Sequence, residues 1–316
     1  FMASLYRDRP RLSTFDTPPL HADNGAMHVI DCHTHIMPPD LIAARERLCR
    51  DEGWFGRLYA EPRARLAPAE DLLAAMDAAG VAAAVTFGFA FRDAGLCRAC
   101  NDYVLEAARG APGRLIPFAV VNPAAPCTAC AEARRCLEAG AFGLGELMPD
   151  GQGFALADPI LDELLALARG YGAPVMLHVN ERLGHDYAGK GSQGPEEAYR
   201  LALRHPESAL VYAHWGGGLP FYELMPEVRA ALRNVYYDTA ASPYLYDDAV
   251  HRHVMDWAPT KVLFGSDYPL IAPARHLRRL RRAGLDATCL EALLGGNARA
   301  LLGDAVAPTI PPKGGD

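Results

Sequence analysis

HVIDCH, residues 28 to 33, is an almost continuously apolar run that ends on a histidine, and seven more runs of that kind follow it along the chain. They are VAAAVTFG (81–88), LIPFAVV (115–121), AFGLGEL (141–147), APVMLHV (173–179), SALVYAH (208–214), NVYYDT (234–239) and KVLFGS (261–266). Runs of this length without polar alternation are expected of strands buried on both faces, as in a parallel sheet under helices.

Longer amphipathic or Ala/Leu-rich segments separate these runs and predict helices at about 69–79, 98–109, 128–139, 158–170, 195–205, 222–232, 247–256 and 273–283. Strand followed by helix, repeated eight times, predicts an α/β fold of the (β/α)₈ TIM-barrel type rather than an open sheet. No GxGxxG follows the first run to suggest a dinucleotide site.

Outside the repeats, residues 37–67 are long for a connection and carry Trp54, Phe55, Arg57 and Tyr59, which suggests a lid or binding loop. Residues 1–26 are polar, Pro-rich and aperiodic, and Phe1 precedes Met2; they are expected to be an arm or an extension foreign to the fold. The barrel is expected over 27–303, with one or two closing helices from 287, and 304–316 as a tail.

With 316 residues, half of them hydrophobic and 22% charged, the chain can bury a large core and is not expected to be disordered. A formal charge of −7 disfavours a nucleic-acid partner. The arginines at 278, 279, 281 and 282 read as one solvated helix face opposite Leu277, Leu280 and Leu285. No apolar run is long enough for a membrane span or export signal, so a cytoplasmic protein is expected.

The eight cysteines are then expected to be reduced. Two CxxC pairs, Cys97 with Cys100 and Cys127 with Cys130, have zinc-like spacing but sit in Ala- and Arg-rich helical sequence without a Gly-rich knuckle, so free thiols are expected there.

The chemistry is concentrated at the C-terminal ends of the apolar runs. His33 and His35 end the first, Glu146 the fourth, His178 the fifth and His214 the sixth, and Asp267 follows the eighth. In a barrel these ends open onto one face, so six residues distant in sequence should converge at one metal site. Imidazoles with carboxylates suit Zn²⁺, the expected ion, and are compatible with Mn²⁺ or Fe²⁺. Two-residue spacing puts His33 and His35 on the same side of a strand.

The stretches IDCHTHIMPP (30–39), GAFGLGELMP (140–149), PVMLHV (174–179), VYAHWGGGLPF (211–221), NVYYDTAASPY (234–244), VLFGSDYPL (262–270) and GNARALL (296–302) together resemble the amidohydrolase superfamily. More narrowly, they resemble its amidohydrolase-related family, which also includes aminocarboxymuconate semialdehyde decarboxylase. The resemblance implies that His33, His35 and Asp267 hold one metal with His178 as a further ligand, and that Glu146 corresponds to a carboxylate that bridges two metals in some relatives.

Two arrangements stay open. With two metals, Glu146 bridges and His178 and His214 take the second ion. With one, His33, His35, His178 and Asp267 bind it and His214 stays free as acid and base. In both, Asp267 is placed to take a proton from a metal-activated water.

The loop NERLGHDYAGKG (180–191) should reach the same mouth, with Arg182 or Lys190 gripping a substrate carboxylate and His185 assisting proton transfer. Trp215 and Tyr244 are candidates for an aromatic substrate wall, and Gly216, Gly217 and Gly218 for a tight turn.

The expected activity is hydrolysis of a small amide, lactone or related carbonyl compound. Non-oxidative decarboxylation of a small carboxylic acid is the alternative, and a metal-dependent nuclease is a more distant one. A homodimer is the default assembly.

Overall fold

The computed structural model describes residues 28–306, so the expected arm and most of the expected tail lie outside the described residues. Eight parallel strands form one sheet in the order of the sequence: β1 (Val29–His35), β2 (Val81–Phe87), β3 (Leu115–Ala119), β4 (Gly143–Leu147), β5 (Val175–Leu177), β6 (Leu210–Tyr212), β7 (Val235–Asp238) and β8 (Val262–Leu263). The last strand returns to the first. Cys32 N–H donates to Phe264 O (2.7 Å), Asp267 N–H to His33 O (2.9 Å) and His35 N–H to Tyr268 O (2.7 Å), which closes a (β/α)₈ barrel.

Each expected run contains a strand, but every strand after β1 is shorter than its apolar run, β5, β6 and β8 most of all. The trimmed residues include His178, His214 and Ser266, which leave the ladder where the chain bends over the barrel mouth.

Helices cover the outside, and their ends are marked by ordinary signals. Helix Ala69–Ala79 stops at Gly80 in the left-handed conformation, φ 69°. Helix Ala94–Gly110 is capped by Asp93, which accepts from Leu96 N–H. Helices Pro126–Glu138, Pro195–Arg204 and Pro273–Leu280 each begin on a proline, whose missing N–H costs nothing there. Leu277 and Leu280 are buried and Arg278, Arg281 and Arg282 are exposed, as the solvated-face reading expects, whereas Arg279 is half-buried and pairs with Asp248.

Residues 37–67 are more ordered than a lid loop. They fold into three short helices, Pro39–Ala43, Arg45–Asp51 and Gly53–Tyr59. Phe55 is fully buried against Phe89 and Phe91, and Arg45 ties the unit together by donating to the carbonyls of Tyr59 and Glu61. All eight cysteines are free thiols, and among the described residues none joins a metal-compatible group. Among these residues no helix is long and apolar enough to cross a membrane.

Candidate metal centre

The six strand-end residues meet at the mouth. His33 Nε2 lies 3.2 Å from His35 Nε2, 3.7 Å from Asp267 Oδ1 and 3.8 Å from Glu146 Oε2. His35, His33 and Asp267 thus form a tripod of donors within 4.8 Å of one another. Beside it, His178 Nδ1 is 2.9 Å from Glu146 Oε1 and 3.1 Å from His214 Nε2, which is itself 3.4 Å from Glu146. The tripod and this second knot touch through His33 and Glu146.

Each imidazole points one nitrogen inward and has the other turned to a protein acceptor. The outward partners are Asp238 Oδ2 for His33 (2.8 Å), the Gly88 carbonyl for His35 (3.4 Å), the Gly189 carbonyl for His178 (3.1 Å) and the Ala240 carbonyl for His214 (3.2 Å). An outward N–H donated to an acceptor leaves the inward nitrogen of the neutral ring a lone pair, the arrangement a cation needs. The donor set therefore fits a divalent metal.

Electrostatics agree with that geometry. Burial alone would lower the His33 pKa, but the carboxylates of Asp238 and Glu146 outweigh it and raise it to about 10. His214 is raised to about 9 against the same burial, chiefly by Glu146. Burial works to raise Asp267 and Glu146, yet the surrounding histidines hold Asp267 down at about 2 and Glu146 well below the usual carboxylate range. The acidic groups are charged at neutral pH and the metal-free site balances them with protons on imidazole.

Local backbone delivers His214 in an unusual way. His214, Trp215, Gly216, Gly217 and Gly218 all have positive φ (56°, 60°, 53°, 62° and 92°), which is costly for the two non-glycine residues. Two side-chain bonds hold the turn: Asp238 Oδ1 accepts from His214 N–H (2.9 Å), and Trp215 Nε1–H donates to Ser242 Oγ (2.6 Å). The glycine run is a close approach as well as a turn, because the Gly217 Cα packs directly on the Asn180 carbonyl.

Above the donors lies a cavity of about 450 Å³, lined among others by Leu58, Tyr59, Arg65, Phe89, Met148 and Leu245. His185 and Tyr244 also line it, as expected. Arg182 and Lys190 do not. Arg182 pairs with Glu197 on the next helix, and Lys190 Nζ donates to the carbonyls of Leu183, Gly184 and His185, stapling its own loop.

Trp215 is no part of an aromatic substrate wall either. It is fully buried, facing His251 at 5.3 Å between ring centroids. Sequence reasoning passed over Arg65, the only arginine among the described residues that line the cavity, and Asp238, although a carboxylate at the end of the seventh apolar run was a readable signal.

A barrel with this convergence of imidazoles and carboxylates at its strand ends defines a metal-dependent barrel enzyme. The family model described as Amidohydrolase matches residues 30–303, and the chain belongs to that family. No curated protein matches the sequence.

Solved structures similar to it include 5-carboxyvanillate decarboxylase from Sphingomonas paucimobilis (TM-score 0.70, 19% identity, covering 88% of this chain and 99% of that one). Another is 2,6-dihydroxybenzoate decarboxylase from Rhizobium (0.66, 19%, 88% and 99%). A third is 5-carboxyvanillate decarboxylase from Novosphingobium aromaticivorans with manganese and 4-hydroxy-3-methoxy-5-nitrobenzoic acid (0.71, 19%, 87% and 96%). At these identities the likeness establishes the fold.

Proposed function

We propose that the chain is a metal-dependent, non-oxidative decarboxylase of a small aromatic carboxylic acid. The observation that carries this reading is the division of the site into a donor tripod, His33, His35 and Asp267, and an adjoining hydrogen-bonded knot, Glu146, His178 and His214. Decarboxylation needs one place to hold the carboxylated substrate and another to supply a proton. The similar structures named above, which are decarboxylases of substituted benzoates, support the same choice.

A divalent ion bound by the tripod would orient the substrate and draw electron density from it. Arg65 pairs with the substrate carboxylate at the cavity rim. Leu58, Phe89, Met148 and Leu245 exclude water and flank a ring. When the bond between ring carbon and carboxylate breaks, CO₂ leaves and the electron pair stays on the ring carbon. His214, protonated at neutral pH and held by Ala240 and Asp238, delivers its proton to that carbon.

Glu146 gives hydrolysis a specific second claim. It reaches both the knot and, at 3.8 Å, His33, so it could bridge two ions with His178 and His214 on the second. Two measurements separate the readings: metal per chain for the wild type and Glu146→Ala, and CO₂ release from a panel of carboxyl-labelled hydroxybenzoates. One metal retained in Glu146→Ala, with CO₂ released, supports decarboxylation. Two metals falling to one, with no CO₂ released but lactones or amides cleaved, sinks it.

A further inference from the structure

We infer that Asp238, at the end of β7, is a positioning residue that fixes the ring of His33 and the backbone of His214 with one carboxylate. It has no exposed surface, and its two oxygens are divided between two tasks. Oδ2 accepts from His33 Nδ1 at 2.8 Å. Oδ1 accepts from the backbone N–H groups of His214 (2.9 Å) and Ala240 (3.0 Å). Oδ1 meets backbone N–H groups alone and must accept, which leaves Oδ2 to face His33 Nδ1.

Each contact does something the barrel could not otherwise do. A metal-binding imidazole is neutral and carries its hydrogen on one nitrogen; donating it from Nδ1 to Asp238 leaves His33 Nε2, the atom facing His35, Glu146 and Asp267, to offer its lone pair to the ion. The other oxygen anchors the N–H of the first residue of a positive-φ turn, a conformation that L-residues resist near φ 56°.

Packing holds the arrangement in register. A Cβ added at Gly265 on the neighbouring strand end would come within 2.8 Å of His33 Cβ and 3.3 Å of Asp238 Cβ, so only glycine lets the pair stand this close to that strand. The inference rests on the reading of His33 Nε2 as a metal-facing atom, and applies equally to decarboxylation and hydrolysis.

Asp238→Asn tests it with little change of shape. The two backbone N–H groups of His214 and Ala240 require an acceptor, so the amide oxygen must face them and the NH₂ must face His33. His33 then has to accept at Nδ1 and carry its hydrogen on Nε2, which blocks the inward nitrogen. The variant should keep the circular dichroism of the wild type, because the backbone anchor survives.

In the zinc-loaded wild type, with ring-¹⁵N histidine, the His33 signal, identified by its loss in His33→Gln, should show hydrogen on Nδ1 and none on Nε2, and the variant should lose that pattern. Its Kd for Mn²⁺ and for Zn²⁺, measured by chelator competition, should rise about 10- to 100-fold.

A Kd within about threefold of wild type overturns the inference, since outer-shell partners of this kind are worth more than that. So does a weakened Kd with hydrogen on Nδ1 retained in the zinc-loaded variant, which would assign the loss to packing. A wild type that itself takes up no metal overturns the metal reading on which the inference rests, whereas a wild type that loads metal beside a variant that loads it equally well overturns the inference alone.

Discussion

Replacing His276 by leucine should make the protein less sensitive to acid. His276 sits on helix Pro273–Leu280 with no exposed surface, 5.5 Å from the Phe264 ring and 6.1 Å from that of His251. Neither of its ring nitrogens has a hydrogen-bond partner. Burial, with His251 and Arg279 adding to it, pulls its pKa down to about 3.

The folded state therefore holds the ring neutral, whereas the unfolded chain protonates it below about 6.5. A depressed histidine of this kind contributes nothing adverse above the unfolded pKa and destabilises progressively as pH falls from 6.5 toward 3, because the unfolded state binds the extra proton. From the two pKa values the cost is about 0.2 kcal/mol at pH 7 and about 2 kcal/mol at pH 5.

Urea unfolding of wild type and His276→Leu, with chelator present so that metal binding does not vary with pH, isolates this group because the other titrations are nearly common to both. His251, whose pKa burial also lowers, is present in both proteins, so its titration is common to the two sides of the comparison. At pH 7 the variant should be at least as stable as wild type, since two unpartnered ring nitrogens are removed with the ring. Between pH 7 and 5 it should lose about 2 kcal/mol less than wild type. Equal losses in the two proteins would refute the reasoning.

Further outcomes follow from the site. Gly217→Ala puts a Cβ onto the Asn180 carbonyl at φ 62°, and since the obstacle is backbone it should cost about 3 kcal/mol or more in chemical denaturation; wild-type stability would contradict the packing described. Asp267→Asn should abolish turnover with the far-ultraviolet circular dichroism unchanged, and full activity would remove Asp267 from the mechanism.

Arg65→Ala should raise KM for a carboxylated substrate about 10-fold or more and leave Tm alone, because the side chain is exposed; an unchanged KM would point to another carboxylate partner. Because His33 and His214 hold protons up to about pH 10 and 9, metal loading at pH 7 must displace them. Calorimetry in buffers of different ionisation enthalpy should therefore give about one proton released for a tripod-only site and about two if His214 also binds, and none would be inconsistent with His33 as a ligand.

What could be read from sequence was whatever strand register dictates. A parallel barrel converts position along the chain into height along one axis, so a histidine or carboxylate at the end of an apolar run has one destination, the mouth. His33, His35, Glu146, His178, His214 and Asp267 all arrived there for that reason.

Loop residues have no such constraint. Lys190 looked like a free cation beside the mouth but is consumed by three carbonyls of its own loop, and Arg182 by a carboxylate on the following helix. Trp215 is next to a site residue in sequence, yet the positive-φ turn sends its ring away from the cavity toward His251. Asp238 sits at a legible strand end, but its partner His33 is 205 residues away, and only the closed barrel shows that its oxygens serve β1 and the turn after β6 at once.

Arg65 could not be placed until residues 37–67 were seen as a packed helical unit anchored by Phe55 rather than a loose lid. The candidate metal donors are therefore placed by strand register, and the wall of the cavity by the tertiary contacts of residues 37–67. A search for the substrate should start from the surface formed by Tyr59, Arg65, His185 and Tyr244, whose spacing no local sequence pattern specifies.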